Sequence, residues 1–289
     1  MDAKTFLKKL DRIPDIPTLP AVALKVNRML QDYDTPIKEL SKIIEKDQAM
    51  VSKILRLVNS AFYGFRSRIS NISHAVTVLG FNTLRNAVVS VSIIDAFSGK
   101  EAAEGFDLMD FWKHSVAVAM TSKHLAEKTR LVAPDEAFVA GVLHDVGKVV
   151  LAQYFKDLFG QVWVATREQG LSFYEAEKKL LPANHAQIGG HLVKKWQLPV
   201  SLVEAISYHH AVRKSATHFN LLMVVHVADI IVNNYKIDSE SDPDFSGIYP
   251  EAAKVMAPQL KSVSDWFPDV ATEIESACEF FLEKGAGIG

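Results

Sequence analysis

The chain has 289 residues, of which 48% are hydrophobic and 23% charged, a composition that excludes a largely disordered protein. Its net charge of −2 at pH 7 calls for neither a nucleic-acid nor a membrane partner. The charge is uneven: residues 1–100 carry 15 Lys/Arg and 9 Asp/Glu, a net of +6, and the remainder carries 17 and 25, a net of −8. A basic segment therefore precedes an acidic one.

Cysteine content and hydropathy bear on location. The single cysteine, Cys278, excludes an intrachain disulfide framework and fits a reducing compartment. The N-terminal stretch lacks the apolar core of a signal peptide. The longest apolar stretch, Leu221 to Val232, is interrupted by His226 and Asp229 and is too short to span a bilayer. We therefore expect a cytoplasmic protein without a membrane partner.

Apolar residues recur with helical spacing along the chain, and no segment shows the sustained alternation of a strand. Val22, Val26 and Leu30 share one helix face, and Thr35 before Pro36 is typical of a helix start. The sequence thus predicts an all-α fold. Further helices are predicted near residues 71–79, 82–97, 108–130, 134–155, 172–180, 185–196, 200–210 and 217–234.

A polar stretch, Ser98 to Glu104, is the best candidate for a domain boundary. We therefore predict an N-terminal helical subdomain over residues 1–100, packed on a helical bundle with further C-terminal helices over residues 101–289. The chain contains neither GxGxxG nor GxxxxGK[ST], which excludes the common nucleotide-binding loops.

Metal-capable side chains recur in the apolar helices of the second part. The pair His144–Asp145 lies in GVLHDVGKVVL, where adjacent ionisable groups are costly unless they are paired or bind a metal. Imidazole with carboxylate suits Zn, Mn, Fe or Ni better than Ca or Mg alone. Helices packed side by side can bring such groups together from separate segments. The other candidates are His114, His185, His209, His210 and Asp229.

These residues also have ordinary structural or surface interpretations. The pair His144–Asp145 is also typical of a hydrogen-bonded helix end, and His210 of a redundant neighbour of His209. Asp229 is also typical of a buried cap or a salt-bridge partner. His226, three residues before it, is expected to have a core or supporting role. The histidines left outside the predicted site are His74, His124, His191 and His218.

The order His…His-Asp…His…His-His…Asp resembles the HD superfamily of metal-dependent phosphohydrolases. It is matched by His114, His144, Asp145, His185, His209, His210 and Asp229. Within that superfamily, GVLHDVGK, HAQIGGHLVKKWQLP, YHH and the earlier IPTLPAVALKV and KILRLVNSAFYG resemble the HDOD family. The resemblance runs from about Ile13 to about Val232 and implies an HD-type helical bundle in the second part of the chain.

This resemblance implies a site for one or two divalent transition-metal ions, with Fe or Mn expected before Zn. Asp145 would bridge the ions, and Lys148 would offset phosphate charge, so these two are the candidate catalytic residues. The residues implied on one ion are His114, His144 and Asp229. Those implied on the other are His185 with His209 or His210.

The HDOD family is associated with bacterial signal transduction, so the resemblance implies a bacterial regulatory output protein with signalling protein partners. An alternative is a metal-dependent phosphohydrolase acting on a nucleotide or cyclic dinucleotide. The related HD-GYP phosphodiesterases cleave cyclic di-GMP, but their signature is missing, since the chain after His210 reads AVRKSATHFN. The sequence leaves open whether the protein is an enzyme.

A third alternative is a DNA-binding regulator. The stretch IKELSKIIEKDQAMVSKILRLV has the shape of a helix-turn-helix in a basic neighbourhood. Its turn lacks the usual Gly, and its second helix is rich in apolar residues. We therefore expect no sequence-specific binding to duplex DNA.

Overall fold

The structure is a computed structural model that describes residues 2–18, 23, 25, 26, 37–59, 68–214, 216–235 and 243–282. Over these residues the regular structure is helical, without a β-strand, which confirms the predicted all-α fold. The helix predicted around Val26 lies mostly outside the described residues, as does the predicted helix start at Thr35.

Sixteen helices are named in the description that follows. They are α1 (Ala3–Leu10), α2 (Ile37–Ile44), α3 (Gln48–Val58), α4 (Ile72–Leu79), α5 (Phe81–Phe97), α6 (Leu108–Thr129), α7 (Pro134–Leu143), α8 (Val146–Tyr154), α9 (Lys156–Gln169), α10 (Phe173–Leu180), α11 (His185–Lys195), α12 (Val200–Tyr208), α13 (Phe219–Asn234), α14 (Pro250–Val255), α15 (Ala257–Lys261) and α16 (Val263–Leu282).

The chain divides into two compact units. The first comprises Met1–Pro17 with Phe97–Ser262, and the second comprises Thr18–Ala96 with Val263–Gly289. Both units are therefore discontinuous in sequence. The predicted domains, residues 1–100 and 101–289, are instead two continuous segments with a single boundary between them. That division stays a prediction.

In the first unit, α6 packs against α7 and α13, and α11 packs against α8 and α12. Local signals fix where these helices begin. The Asp107 side chain accepts the backbone N–H groups of Met109 and Asp110 and thereby caps α6. Asn184 and Gln187 form a reciprocal capping box that starts α11 at His185.

The predicted continuous helix over residues 134–155 is wrong, because the structure breaks it at His144–Asp145. His144 is the C-terminal cap of α7, and Asp145 has φ −102° and ψ 7°, outside the helical range. The apolar pattern continues through this point and therefore does not predict the break. Helix α9, directly after this segment, was not predicted either.

Two glycines allow helices to approach closely beside this break. A Cβ at Gly141 in α7 would lie 2.4 Å from the Ala119 Cα in α6. A Cβ at Gly147 in α8 would lie 2.0 Å from the carbonyl oxygen of His185 at the start of α11. Since neither distance is sterically possible, the backbone contacts of α7 and α8 require glycine at these positions.

The second unit has its own apolar interior, in which α2 and α3 pack against α4, and α16 packs against α3. Ile44, Ile54 and Val58 have no exposed area. Lys53 of α3 pairs with Asp95 at 2.5 Å. The segment interpreted from sequence as a possible helix-turn-helix therefore uses its apolar face, and one of its basic residues, within this unit.

Among the described helices, none is by itself long and apolar enough to cross a membrane. Two bent helix pairs reach the necessary length and composition when each pair is counted together, namely Ile72–Leu79 with Phe81–Phe97 and Pro134–Tyr154 with Lys156–Gln169.

Candidate metal centre

The structure brings the seven predicted metal-binding residues together in the first unit, in two adjacent sets of side chains with metal-capable atoms. We call them the first and second donor groups. The first donor group is Asp145, His185, His209 and His210. The second donor group is His114, His144 and Asp229. Within each group the candidate ligand atoms all lie within 4.8 Å of one another.

Asp145 faces both donor groups from the break between α7 and α8. Its Oδ1 lies 3.0 Å from His185 Nε2 and 3.6 Å from His209 Nε2. Its Oδ2 lies 3.3 Å from His144 Nε2 and 3.9 Å from His114 Nε2. One carboxylate therefore presents one oxygen to each side of the cluster.

Two of the histidines occupy helix C-termini, and this position orients their rings. His144 Nδ1 lies 2.7 Å from the Gly141 carbonyl oxygen, and His209 Nδ1 lies 2.8 Å from the Ile206 carbonyl oxygen. Each carbonyl belongs to the last turn of the preceding helix, where carbonyls lack helical partners. An Nδ1–H donated to that carbonyl leaves Nε2 directed at the cluster.

His185 is held by a side chain that sequence reasoning missed. Glu177 of α10 is fully buried, and its Oε1 accepts the backbone N–H of His185 at 2.9 Å. Its Oε2 lies 2.5 Å from His185 Nδ1. The available signal was a charged residue four positions after the apolar Phe173, on the same helix face.

Asp229 of α13 organises the second donor group. Its Oδ1 lies 3.3 Å from His114 Nε2 and 3.6 Å from His144 Nε2, and it also accepts the Asn233 amide at 2.8 Å. Its Oδ2 lies 4.0 Å from His210 Nδ1. Asp229 thus approaches members of both groups, although it lies farther from the histidines of the first donor group than Asp145 does.

His226 supports the cluster through backbone groups. Its Nδ1 lies 2.6 Å from the His209 carbonyl oxygen, and its Nε2 accepts the Tyr249 backbone N–H at 3.0 Å. The ring thus ties the end of α12 to the segment that precedes α14. Neither donor group includes His74, His124, His191 or His218.

The cluster is exposed along one edge. His114, His210 and Lys148 have side-chain exposures of 25%, 24% and 22%, whereas Asp145 and the other histidines of the two groups are at 2% or less. Lys148 Nζ donates to Asp145 Oδ2 at 2.5 Å. The Tyr174 ring lies 4.7 Å from the His210 ring, centre to centre. A ligand would therefore approach past His114, His210 and Lys148.

Charges within the cluster shift its pKa values strongly. Burial disfavours a charged His144 ring, but Asp145 and Asp229 outweigh burial and raise its pKa to about 10. Burial likewise opposes ionisation of Asp145, yet His144 and Lys148 hold its pKa well below the usual value. Burial lowers the pKa of His209 to about 4 although Asp145 opposes the shift. Positive charge is thus favoured between the two carboxylates, where a metal cation would also be favoured.

Unpaired buried atoms indicate that the residues fit a metal ion. His144 Nε2 and Asp145 Oδ1 are buried, and neither makes a hydrogen bond of acceptable geometry. Such atoms are costly to bury without a partner. Both point into the cluster, where the facing groups are imidazoles and carboxylates, a donor set typical of Fe, Mn, Zn or Ni.

Comparisons with known proteins agree with this architecture. A crystal structure of an HDOD domain protein of unknown function from Geobacter sulfurreducens is 26% identical, with a TM-score of 0.75 and 97% of each chain covered. A Shewanella amazonensis SB2B structure, provisionally named a phosphohydrolase, is 23% identical, with a TM-score of 0.75 over 94% of this chain and 97% of that one. The latter likeness concerns the fold alone.

A curated relative is an uncharacterized protein of Treponema pallidum (strain Nichols), which is 28% identical over 203 residues. The match covers 69% of this chain but only 38% of that protein. The model of the HDOD domain family matches residues 16–212, more than half of the chain and six of the seven residues of the two donor groups. The chain therefore belongs to the HDOD family, as its sequence motifs predicted.

Proposed function

We propose that this HDOD protein is a regulatory signalling module built around a centre for one or two divalent transition-metal ions. The observation that carries the proposal is the buried Asp145 carboxylate, which directs one oxygen to each donor group. A single ion would use one group, and a pair of ions would share Asp145.

The proposed ligands follow the two donor groups. One ion would be held by His114, His144 and Asp229, and the other by His185, His209 and His210, with Asp145 between them. A bound divalent ion would supply Lewis-acid charge to an anionic ligand and acidify a water molecule. The protein itself keeps Asp145 ionised, since Lys148 donates to its Oδ2.

We propose Fe or Mn before Zn. The donor set consists of five imidazoles and two carboxylates, without a thiolate, and such nitrogen and oxygen ligands suit Fe and Mn. Elemental analysis of protein made in metal-supplemented medium would decide the identity of the ion.

A regulatory role is favoured over catalysis by the state of Lys148. Its ammonium group lies at the exposed edge but is engaged with Asp145 at 2.5 Å, so it serves the carboxylate before any substrate phosphate. A hydrolase needs groups that hold the substrate beside the nucleophile as well as a metal. We propose that the output passes to signalling protein partners.

The second candidate is a metal-dependent phosphohydrolase acting on a nucleotide or cyclic dinucleotide. The specific observation in its favour is the exposed edge formed by His114, His210 and Lys148, which would let an anion reach the donor groups. Metal-loaded protein should be assayed against cyclic dinucleotides, nucleotides and a chromogenic diester, with Asp145→Ala as the blank. Efficient turnover of a nucleotide, lost in that variant, would favour this candidate over the regulatory module.

The decisive experiment for the metal centre is a metal analysis of protein purified without chelators. The wild type should hold one or two ions per chain, and Asp145→Asn should lose them because it removes the charge that faces both groups. Asp11→Asn is the matched control, since Asp11 pairs with His191 and Lys195 away from the donor groups. A metal-free wild type would overturn the proposal.

We expect no sequence-specific binding to duplex DNA. Ile44 and Ile54, on the two helices of the basic segment, are fully buried, and Lys53 pairs with Asp95. Salt-dependent sub-micromolar binding to DNA, weakened by changing Lys53 and Arg56, would contradict this expectation.

A further inference from the structure

We propose that Glu177 is a positioning residue that locks His185 in the tautomer whose Nε2 can bind a metal ion, a role that rests on the metal centre proposed above. Glu177 belongs to neither donor group, is fully buried, and directs both carboxylate oxygens at His185.

The argument begins with the hydrogen-bonding capacity of each group. An ionised carboxylate only accepts, and the backbone N–H of His185 only donates, so Oε1 is used by that N–H at 2.9 Å. Oε2 faces Nδ1 at 2.5 Å, and this contact is attractive only when Nδ1 carries a proton. In the neutral ring the lone pair then lies on Nε2.

Nε2 is the atom that faces the cluster. It lies 3.0 Å from Asp145 Oδ1 and 3.4 Å from His209 Nε2. The same carboxylate also holds the backbone N–H at the first residue of α11, so one side chain fixes both the backbone and the ring, and the ring cannot turn without losing the Nδ1 contact. Buried carboxylates that accept from a ligand histidine in this way orient the ring and increase its basicity.

Glu177→Gln tests this role because an amide has only one oxygen that can accept a hydrogen bond, whereas the carboxylate has two. If its oxygen keeps the backbone N–H of His185, its NH2 group faces Nδ1, and the ring must then carry its proton on Nε2. That proton would occupy the ligand position. The variant keeps the size of the side chain, so the packing of α10 changes little.

The matched control is Glu175→Gln, two residues away on the exposed side of the same helix. Glu175 forms a capping box with Ser172, a motif in which Gln is equally suited. Zn²⁺ affinity, measured by competition with a chelator, should fall by about 10–100-fold in Glu177→Gln and remain unchanged in Glu175→Gln. Equal affinities in the wild type and Glu177→Gln would overturn the proposal.

The tautomer itself provides a readout that a purely structural role would not move. Long-range ¹H–¹⁵N spectra, recorded where the ring is neutral and assigned with His185→Gln, should show Nδ1–H in the wild type and Nε2–H in Glu177→Gln. Glu177→Asp, which keeps two acceptors on a shorter side chain, should retain Nδ1–H. If the neutral His185 ring of the wild type carries its proton on Nε2, the proposal is wrong. This test needs only the wild type, so it still applies if Glu177→Gln does not fold.

These readouts separate the two proposals. If the wild type fails to bind metal ions, the proposed metal centre fails, while the spectra of the metal-free protein still report whether Glu177 sets the tautomer. If the wild type binds Zn²⁺ and Glu177→Gln binds it equally well with Nδ1–H retained, the metal centre stands and the role of Glu177 is wrong.

Discussion

The two donor groups meet at one carboxylate but differ in how their side chains are held. In the first donor group, His185 and His209 are fully buried, and each Nδ1 has a partner within the protein. In the second donor group, His144 has such a partner, but His114 is 25% exposed. Each group also has one partly exposed histidine, since His210 of the first group is 24% exposed. The fold therefore fixes two rings in the first group and one in the second.

This difference indicates a division of roles within the cluster. Rings whose orientation is fixed in advance lose little freedom when an ion binds, so the first donor group should bind the more tightly held ion. The second donor group has only one such ring, His144, and should exchange its ion more readily. The variants below test the contrast, from the largest expected effect to the smallest.

Removing the shared carboxylate should destabilise the protein most. Asp145→Ala leaves the His144 and Lys148 charges without their buried partner, a type of change that costs about 3–5 kcal/mol. Chemical denaturation with and without a chelator measures the loss. His191→Ala, which removes a partly exposed contact to Asp11, should cost no more than about 1 kcal/mol. Similar costs for the two variants would show that the cluster adds little to stability.

Gly147→Ala should disturb the first donor group without altering any of its side chains. The added Cβ would push against the His185 carbonyl and separate α8 from α11, at a cost of about 1–3 kcal/mol. Gly160→Ala is the control, because its Cβ would meet nothing within 4 Å, and it should stabilise α9 by about 0.5–1 kcal/mol. The melting temperatures of both variants, compared with that of the wild type, measure these effects. Unchanged stability of Gly147→Ala would mean that α8 and α11 can separate without cost.

Deleting one histidine from each group tests the contrast directly. His209→Ala leaves the Ile206 carbonyl without its donor in a buried place and should cost about 1–3 kcal/mol. His114→Ala removes a partly exposed ring and should cost about 1 kcal/mol or less. Calorimetric titration with Mn²⁺ should show the tight binding event weakened by His209→Ala and retained by His114→Ala. The reverse order would contradict the proposed division.

The stability contributed by the contact between α12, which precedes His209 and His210, and the start of α13, which carries Asp229, should depend on pH. Glu204 of α12 accepts the backbone N–H groups of Thr217 and His218, just before α13. Burial opposes its ionisation, but these N–H groups outweigh burial and lower its pKa below 4.5.

The stabilisation from Glu204 is therefore present above pH 4.5 and is lost as the pH falls through the lower folded pKa. Glu204→Gln should be less stable than the wild type by about 1 kcal/mol at pH 7, and the gap should close in acid. Urea midpoints across this range measure it. A gap that stays constant would exclude the carboxylate as its source.

The sequence predicted the all-α fold and the seven residues that the structure brings together, because metal-capable side chains recur in its apolar helices and their order resembles that of the HD superfamily. It could not predict the break at His144–Asp145. The apolar spacing of Val142, Val146 and Val149 continues through it, and only contacts with other helices distinguish a broken helix from a straight one.

The supporting residues were hidden for a different reason. Glutamate is usually a surface residue. The burial of Glu177 depends on the short connection that returns the chain to His185. The pairing of His226 with the carbonyl of His209 likewise depends on tertiary structure. Metal identity depends on coordination geometry and availability as well as ligand type, so the sequence indicates a class of ions and no more.

The discontinuous second unit has a consequence for how the chain folds. Its helix α16 packs against α3, about 200 residues earlier in the sequence. Synthesis proceeds at about 5–20 residues per second, so at least about ten seconds separate the synthesis of α3 and α4 from that of α16. The apolar surface that α16 covers is exposed during that interval. Chaperone binding and aggregation of nascent chains should therefore concentrate on this unit.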